Sequence, residues 1–178
     1  TFLGLILLLL LLGITLSLPF VQTKIAHYVT ETLNEDFGTD IYVDKVAISV
    51  FGTVKLRDVL IKDHHKDTLI SAMSIKTNIL SFKKLQSGDL VFGDLYADKL
   101  FFNLKTYKNE TNSNINIFVK LFDNGKKSTK PFQLNADNIY LNASHFKVTN
   151  ENLINKTAID FTKMNSRVRR FKIYGSDI

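Results

Sequence analysis

Hydrophobic and polar positions alternate along this chain with three successive periods. Residues 2–18 carry no charge and are almost continuously apolar, interrupted only by Gly4, Gly13, Thr15 and Ser17. From Pro19 the pattern turns helical. Val21, Ile25, Tyr28, Val29 and Leu33 recur on one face, and Gln22, Lys24, Thr30, Glu31 and Asn34 fill the other. Pro19 suits a helix start and Gly38 a left-handed C′ residue, so an amphipathic helix is predicted over 19–38. Beyond Gly38 the period becomes two. Ile41 and Val43, then Val46, Ile48 and Val50, alternate with polar residues. A turn at Phe51-Gly52-Thr53 leads to Val54 and Leu56, then Val59 and Ile61. The phase slips near Asp44-Lys45 and again near Arg57-Asp58, which predicts bulges or bends.

Further strands are predicted over 69–79, 89–96 and 99–107, and three or four more over 132–136, 139–148 and 158–173. Ile115, Phe118, Val119 and Phe122 fit one face of a short inserted helix closed by Asn124-Gly125. Asp63-His64-His65-Lys66-Asp67 reads as a polar loop, and 126–130 as a charged turn. The predicted fold is therefore mainly β: an antiparallel meander with a transmembrane helix at its start, a membrane-proximal amphipathic helix and one short helix in the middle. Asp44-Lys45-Val46, Gly93-Asp94-Leu95 and Asp137-Asn138-Ile139 form a faint repeat, each ahead of a second apolar alternation, as in a stack of hairpin-like units.

The first run has the character of a membrane span. Seventeen residues at ~1.5 Å each reach ~25 Å, slightly short of a ~30 Å hydrocarbon core. A buried core helix would show a polar side, and a signal-peptide core would be shorter and end in a small-x-small cleavage site. Phe2, Leu3, Ile6, Leu10, Ile14 and Leu18 are the expected anchor residues, with 1–18 as anchor, 19–38 as linker helix and 39–178 as the β-rich domain. Weak basicity downstream, Lys24 before Glu31, Glu35 and Asp36, agrees with a non-cytoplasmic side for that domain. The apolar run at one end and strand pattern at the other suggest a piece of a longer chain.

An alternating sheet must bury its apolar face on something: a second layer, or an apolar ligand held in a groove. Alternation alone does not separate a sandwich core from a groove. Composition narrows the chemistry. Net charge is +6, with the basic residues scattered, so no phosphate-tracking stripe is present and nucleic acid is not an expected partner. The absence of Cys excludes disulfides, thiolate metal sites and a Cys nucleophile. No GxSxG, glycine-rich phosphate loop, HExxH or CxxC occurs, so no enzyme activity and no cofactor is expected. His64 and His65 lie between Asp63 and Asp67, but adjacent side chains on an extended strand point apart, so no metal site is expected there either.

The stretches Leu18-Pro19-Phe20-Val21-Gln22-Thr23-Lys24-Ile25-Ala26, Thr39-Asp40-Ile41-Tyr42-Val43-Asp44-Lys45-Val46-Ala47-Ile48 and Val54-Lys55-Leu56-Arg57-Asp58-Val59-Leu60-Ile61-Lys62-Asp63, with Asp67-Thr68-Leu69-Ile70, resemble the membrane-proximal part of AsmA-like proteins. The TamB branch in its Bacteroidota form is the nearest in pattern, over residues 1 to about 105. The resemblance implies an inner-membrane anchor and a long periplasmic β-groove, open like a bridge, that conducts phospholipid toward the outer membrane. It also implies a link, in part of the family, to an outer-membrane barrel partner. Candidate groove residues by phase are Ile41, Val43, Val46, Ile48, Val50, Val54, Leu56, Val59 and Ile61. The competing expectation is a scaffold or assembly subunit acting through a sheet edge.

Overall fold

The computed structural model describes residues 18–49, 52–81, 90–121 and 133–174. Helix α1 spans Pro19–Phe37, with Pro in its first turn and Gly38 in the left-handed conformation at its end (φ 66°). Strands β1 (Asp40–Ile48), β2 (Thr53–Lys62) and β3 (Thr68–Asn78) follow as an antiparallel meander. Strands β4 (Leu90–Asp98) and β5 (Phe101–Thr106) both pair with β3, and both pair with β6 (Gln133–Asn150), so they occupy one position in the sheet, interrupted at Lys99-Leu100. Helix α2 (Asn114–Lys120) lies in the crossover between β5 and β6, and β7 (Thr157–Tyr174) pairs with β6.

Two expectations change here. The sheet is mixed, because β4 and β5 run parallel to β6. The connection that includes α2 returns the chain to the end of the sheet at which β4 begins, so that β6 starts beside Leu90, which a hairpin meander cannot do. The predicted strands over 132–136 and 139–148 are, among the described residues, one long strand, Gln133–Asn150; Asp137-Asn138 sits inside it, not in a turn. The anchor residues Phe2, Leu3, Ile6, Leu10 and Ile14 lie outside the described residues, as do Val50, Phe122 and Asn124-Gly125. No helix among the described residues is long and apolar enough to cross a membrane.

The phase slips read in the sequence have a common structural cause. The β1–β2 register passes from Val43↔Val59 to Lys45↔Arg57, and the β2–β3 register from Val59↔Ala72 to Arg57↔Ser74. Asp58 between them is left-handed (φ 50°). Lys99 at the β4–β5 break, Ala143 in β6 and Lys163 in β7 are left-handed as well (φ 49°, 46° and 52°). The amide of Lys99 donates to Asn142 O (2.9 Å), and the β6–β7 register shifts between Leu141 and Ser144, so these residues line up across the sheet. Each strand takes an extra residue at this row. Apolar side chains therefore share a face three apart, as Val43 with Val46 and Leu56 with Val59, and these gather with Ala72, Ile75 and Leu100 in the core cluster. A second interruption runs through Gly93, Asp137 and left-handed Arg170 (φ 52°), where the registers step from Phe92↔Ala136 to Asp94↔Asn138 and from Ala136↔Phe171 to Asn138↔Arg169. The three members of the faint repeat thus mark interruption points. Two of them, at Asp94 and Asn138, are parallel neighbours and not stacked hairpins.

Candidate functional site

The first part of the site is the covered edge. An edge strand offers unpaired N–H and C=O groups that invite wrong pairing. Helix α1 lies along β1 and answers these groups with side chains. Gln22 donates to Ile48 O (2.7 Å) and accepts from Ile48 N (2.6 Å). The Thr23 hydroxyl does the same for Val46, with both contacts at 3.2 Å. His27 donates from Nε2 toward Val43 O (2.8 Å) and Asp44 O (3.1 Å). Asn34 donates to Ile41 O (2.9 Å) and accepts from Ile41 N (2.8 Å) and from the Thr39 hydroxyl (2.8 Å). Helix and strand run in opposite directions, and the ~6 Å rise of four helical residues roughly matches the ~6.8 Å of two strand residues.

This arrangement inverts the orientation that amphipathicity suggests. Part of the polar stripe, with Gln22 and Asn34, faces the protein. Much of the apolar stripe is left outward: Tyr28 is 71% exposed and Ile25 and Val29 are exposed, as are Leu18 and Phe20 (61%) at the helix start, while Val21 and Leu33 are half-buried. Between the start of α1 and the β1–β2 hairpin lies a depression of about 620 Å³. Pro19, Phe20, Val46 and Ala47 give it apolar walls, and Lys24, Lys45, Lys55 and Arg57 contribute four cations against the single carboxylate of Asp44. Apolar surface beside concentrated positive charge suits an amphiphile with an anionic head.

The second part is the apolar face of the sheet. Of the groove candidates, Val43, Val46 and Val59 are buried in the core cluster, where Ala26 of α1 also packs, and Leu56 and Ile61 lie against it. Protein covers these five positions at least in part. Ile41 and Val54 are half-buried and Ile48 is 40% exposed. Across the sheet the same face continues through register partners: Leu95 with Ile139, Phe102 with Phe146, then Ile139 with Val168, Phe146 with Phe161 and Val148 with Ile159. At the β7 end it is open. Ile159, Phe161 and Val168 are 37%, 58% and 40% exposed. The groove candidates all lie at the β1–β2 end; the same face in β6, which the pattern divides at 137–138, and in β7, whose predicted range 158–173 nearly matches Thr157–Tyr174, supplies none of them.

The third feature is the polar end of the β2–β3 hairpin. Asp63 is buried. One carboxylate oxygen accepts from the amides of His65 (2.9 Å) and Asp67 (3.1 Å), closing the turn. The other accepts from Asn114 Nδ2 (3.1 Å) and lies 2.7 Å from the Tyr107 hydroxyl, which also stands 2.8 Å from Asp67. Burial, with both carboxylates alongside, pushes the Tyr107 hydroxyl well above its ordinary value. Tyr107, then Lys105, holds the Asp67 carboxyl below the usual range. Fully buried Asn114 uses both of its amide atoms, accepting from the amides of Lys105 and Ile115 and donating to Asp63 and Asn103 O. Outside this network His64, His65 and Glu110 converge, contrary to the expectation that the two imidazoles diverge. The chain there is a tight turn with Lys66 left-handed (φ 65°), not an extended strand, so adjacent side chains swing to the same side.

No family model matches the chain, and no curated protein and no solved structure matches it.

Proposed function

We propose that this chain is the inner-membrane-anchored, periplasmic start of an AsmA-like, TamB-type β-groove, which binds phospholipid by its acyl chains and passes it along the sheet toward the outer membrane. It acts by binding and not by catalysis. The observation that carries this reading is the asymmetry of the apolar face: closed by α1 and the core cluster at β1, yet open at β7, where Ile159, Phe161 and Val168 stand in solvent. A run of apolar side chains continuous across strands but uncovered at one end is costly in water and inexpensive against hydrocarbon. The outward apolar stripe of α1 follows directly on the uncharged run 2–18, which supports α1 lying along a bilayer surface with 1–18 inserted. The basic depression at the start of α1 would then receive an anionic headgroup near the interface.

Native mass spectrometry of the detergent-extracted chain tests this. Phospholipid should remain bound to the wild type and be lost from Phe161→Asp, with circular dichroism unchanged. A wild type free of lipid, or a Phe161→Asp variant that retains it fully, would overturn the proposal. The second reading, a scaffold for outer-membrane protein assembly, is favoured by β7 itself: eighteen residues long, it pairs with β6 alone among the described strands, so its outer edge can accept a partner strand.

A further inference from the structure

We propose that His64, His65 and Glu110 form a binding site for a zinc-class divalent cation, which would clasp the β2–β3 hairpin to the loop between β5 and α2. His64 Nε2 lies 2.9 and 3.2 Å from the two Glu110 carboxylate oxygens, and His65 Nε2 lies 2.7 Å from one of them. The three donor groups all fall within 4.8 Å of one another. Around a tetrahedral ion with bonds of ~2.0–2.1 Å, donors stand roughly 3.3 Å apart. The side chains therefore need only small movements to surround an ion. Two imidazoles and a carboxylate are a borderline-soft donor set, suited to Zn(II), Co(II) or Ni(II) and not to Mg(II) or Ca(II).

The donors are held in place by structure that has no part in ligation. The His65 ring lies 3.8 Å from the buried Tyr107 ring between centroids, and His64 packs edge-on against Tyr107 at 5.4 Å. The turn that carries both histidines is tied by Asp63, as described above. On the other side, Glu110 N donates to Tyr107 O (3.1 Å) and Asn152 Nδ2 donates to Glu110 O (2.9 Å), which fixes the backbone of the third donor. In the metal-free state the Nε2 protons hydrogen-bond Glu110. An ion takes their place, so binding releases or relocates those protons to Nδ1. The histidines lie at the surface, which leaves a fourth position for water.

The test uses the full chain in detergent, with any affinity tag removed, titrated with Co(II) and then with Zn(II) in competition. One equivalent of Co(II) should bind with the intense visible bands of a tetrahedral site, and Zn(II) should displace it. Loss of a group that merely hydrogen-bonds a ligand typically costs 10–100-fold in metal affinity, so His65→Asn and Glu110→Gln, which remove a ligand, should each weaken binding at least ~10-fold. His145→Asn, at the separate His145–Asp160 pair, should leave it unchanged. Saturating Zn(II) should raise the thermal midpoint of the wild type and of His145→Asn only. His65→Asn alters an exposed turn side chain and keeps the test valid if Glu110→Gln folds poorly. No binding to the wild type, or equal binding by wild type and His65→Asn, would overturn the proposal.

Discussion

At the β1 edge of the sheet a helix supplies side chains to the backbone groups of Ile41, Val43, Val46 and Ile48, and the valines beneath it are buried. At the β7 edge no such helix lies alongside among the described residues, and the apolar side chains there are exposed. Both edges have the same period-two pattern. What differs is the neighbour. Among the described residues this sheet is closed at one edge only, and the other leaves backbone groups and apolar side chains accessible.

The largest expected contrast comes from placing one charge at each end. Val43→Asp puts a carboxylate into the core cluster beneath α1, and should cost about 3 kcal/mol or more. Phe161→Asp should change stability by less than about 1 kcal/mol, because its side chain is already largely in water. Chemical denaturation followed by circular dichroism measures both. Equal losses would mean that β7 is as closed as β1, and the comparison would fail.

A smaller effect should follow from uncovering the β1 edge while keeping the helix. The triple variant Gln22→Ala, Thr23→Ala, Asn34→Ala removes the side-chain bonds to three strand residues and keeps good helix formers. At roughly 1 kcal/mol per lost hydrogen-bonding side chain, the total is about 2–3 kcal/mol. The released edge should also pair between molecules. Size-exclusion chromatography over a range of concentrations should show association absent from the wild type. If the variant stays as stable and as monodisperse as the wild type, the helix is not what protects this edge.

The smallest effect concerns the middle of the sheet, where neither edge acts. Asp98 accepts from the Ser74 hydroxyl (2.7 Å) and from Asn142 Nδ2 (3.0 Å), joining β3, β4 and β6 beside the row of left-handed residues. The Ser74 bond first, and the Asn142 bond second, hold its carboxyl below the usual range. A lowered folded-state pKa means that the ionised form favours the folded state. That contribution is complete above the unfolded value of ~3.9 and is lost as pH falls through the folded value. Asp98→Asn should therefore flatten the decline of stability below about pH 4 by a small margin. Denaturant midpoints for the two proteins across the acid range check this; parallel acid limbs would show that Asp98 contributes no linkage.

Much of this was legible in the residues. Gly38 ended the helix because only a left-handed residue allows that reversal at little cost, and the structure has it at φ 66°. The slips at Asp44-Lys45 and Arg57-Asp58 announced the row of extra residues, since a strand cannot change phase without one. The candidate site was less legible. Gln22 and Asn34 read as a solvent face because hydrophobicity does not record that a neighbouring edge strand needs hydrogen bonds. His64 and His65 read as divergent on an extended chain, while the turn closed by Asp63 brings them to Glu110, 46 and 45 residues on.

The sequence by itself determined the elements: a period of 3.6 up to Gly38, a period of two after it, and which side of each strand is apolar. These are local properties, set by side-chain spacing and backbone sterics within a few residues. Only the tertiary structure decided that β4 and β5 share one place beside a parallel β6, that part of the polar side of α1 turns inward, and which end of the apolar face is covered. Those outcomes depend on pairings between segments distant along the chain, where several partners satisfy the same alternation and the choice falls to the backbone hydrogen bonds and the packing of the whole sheet.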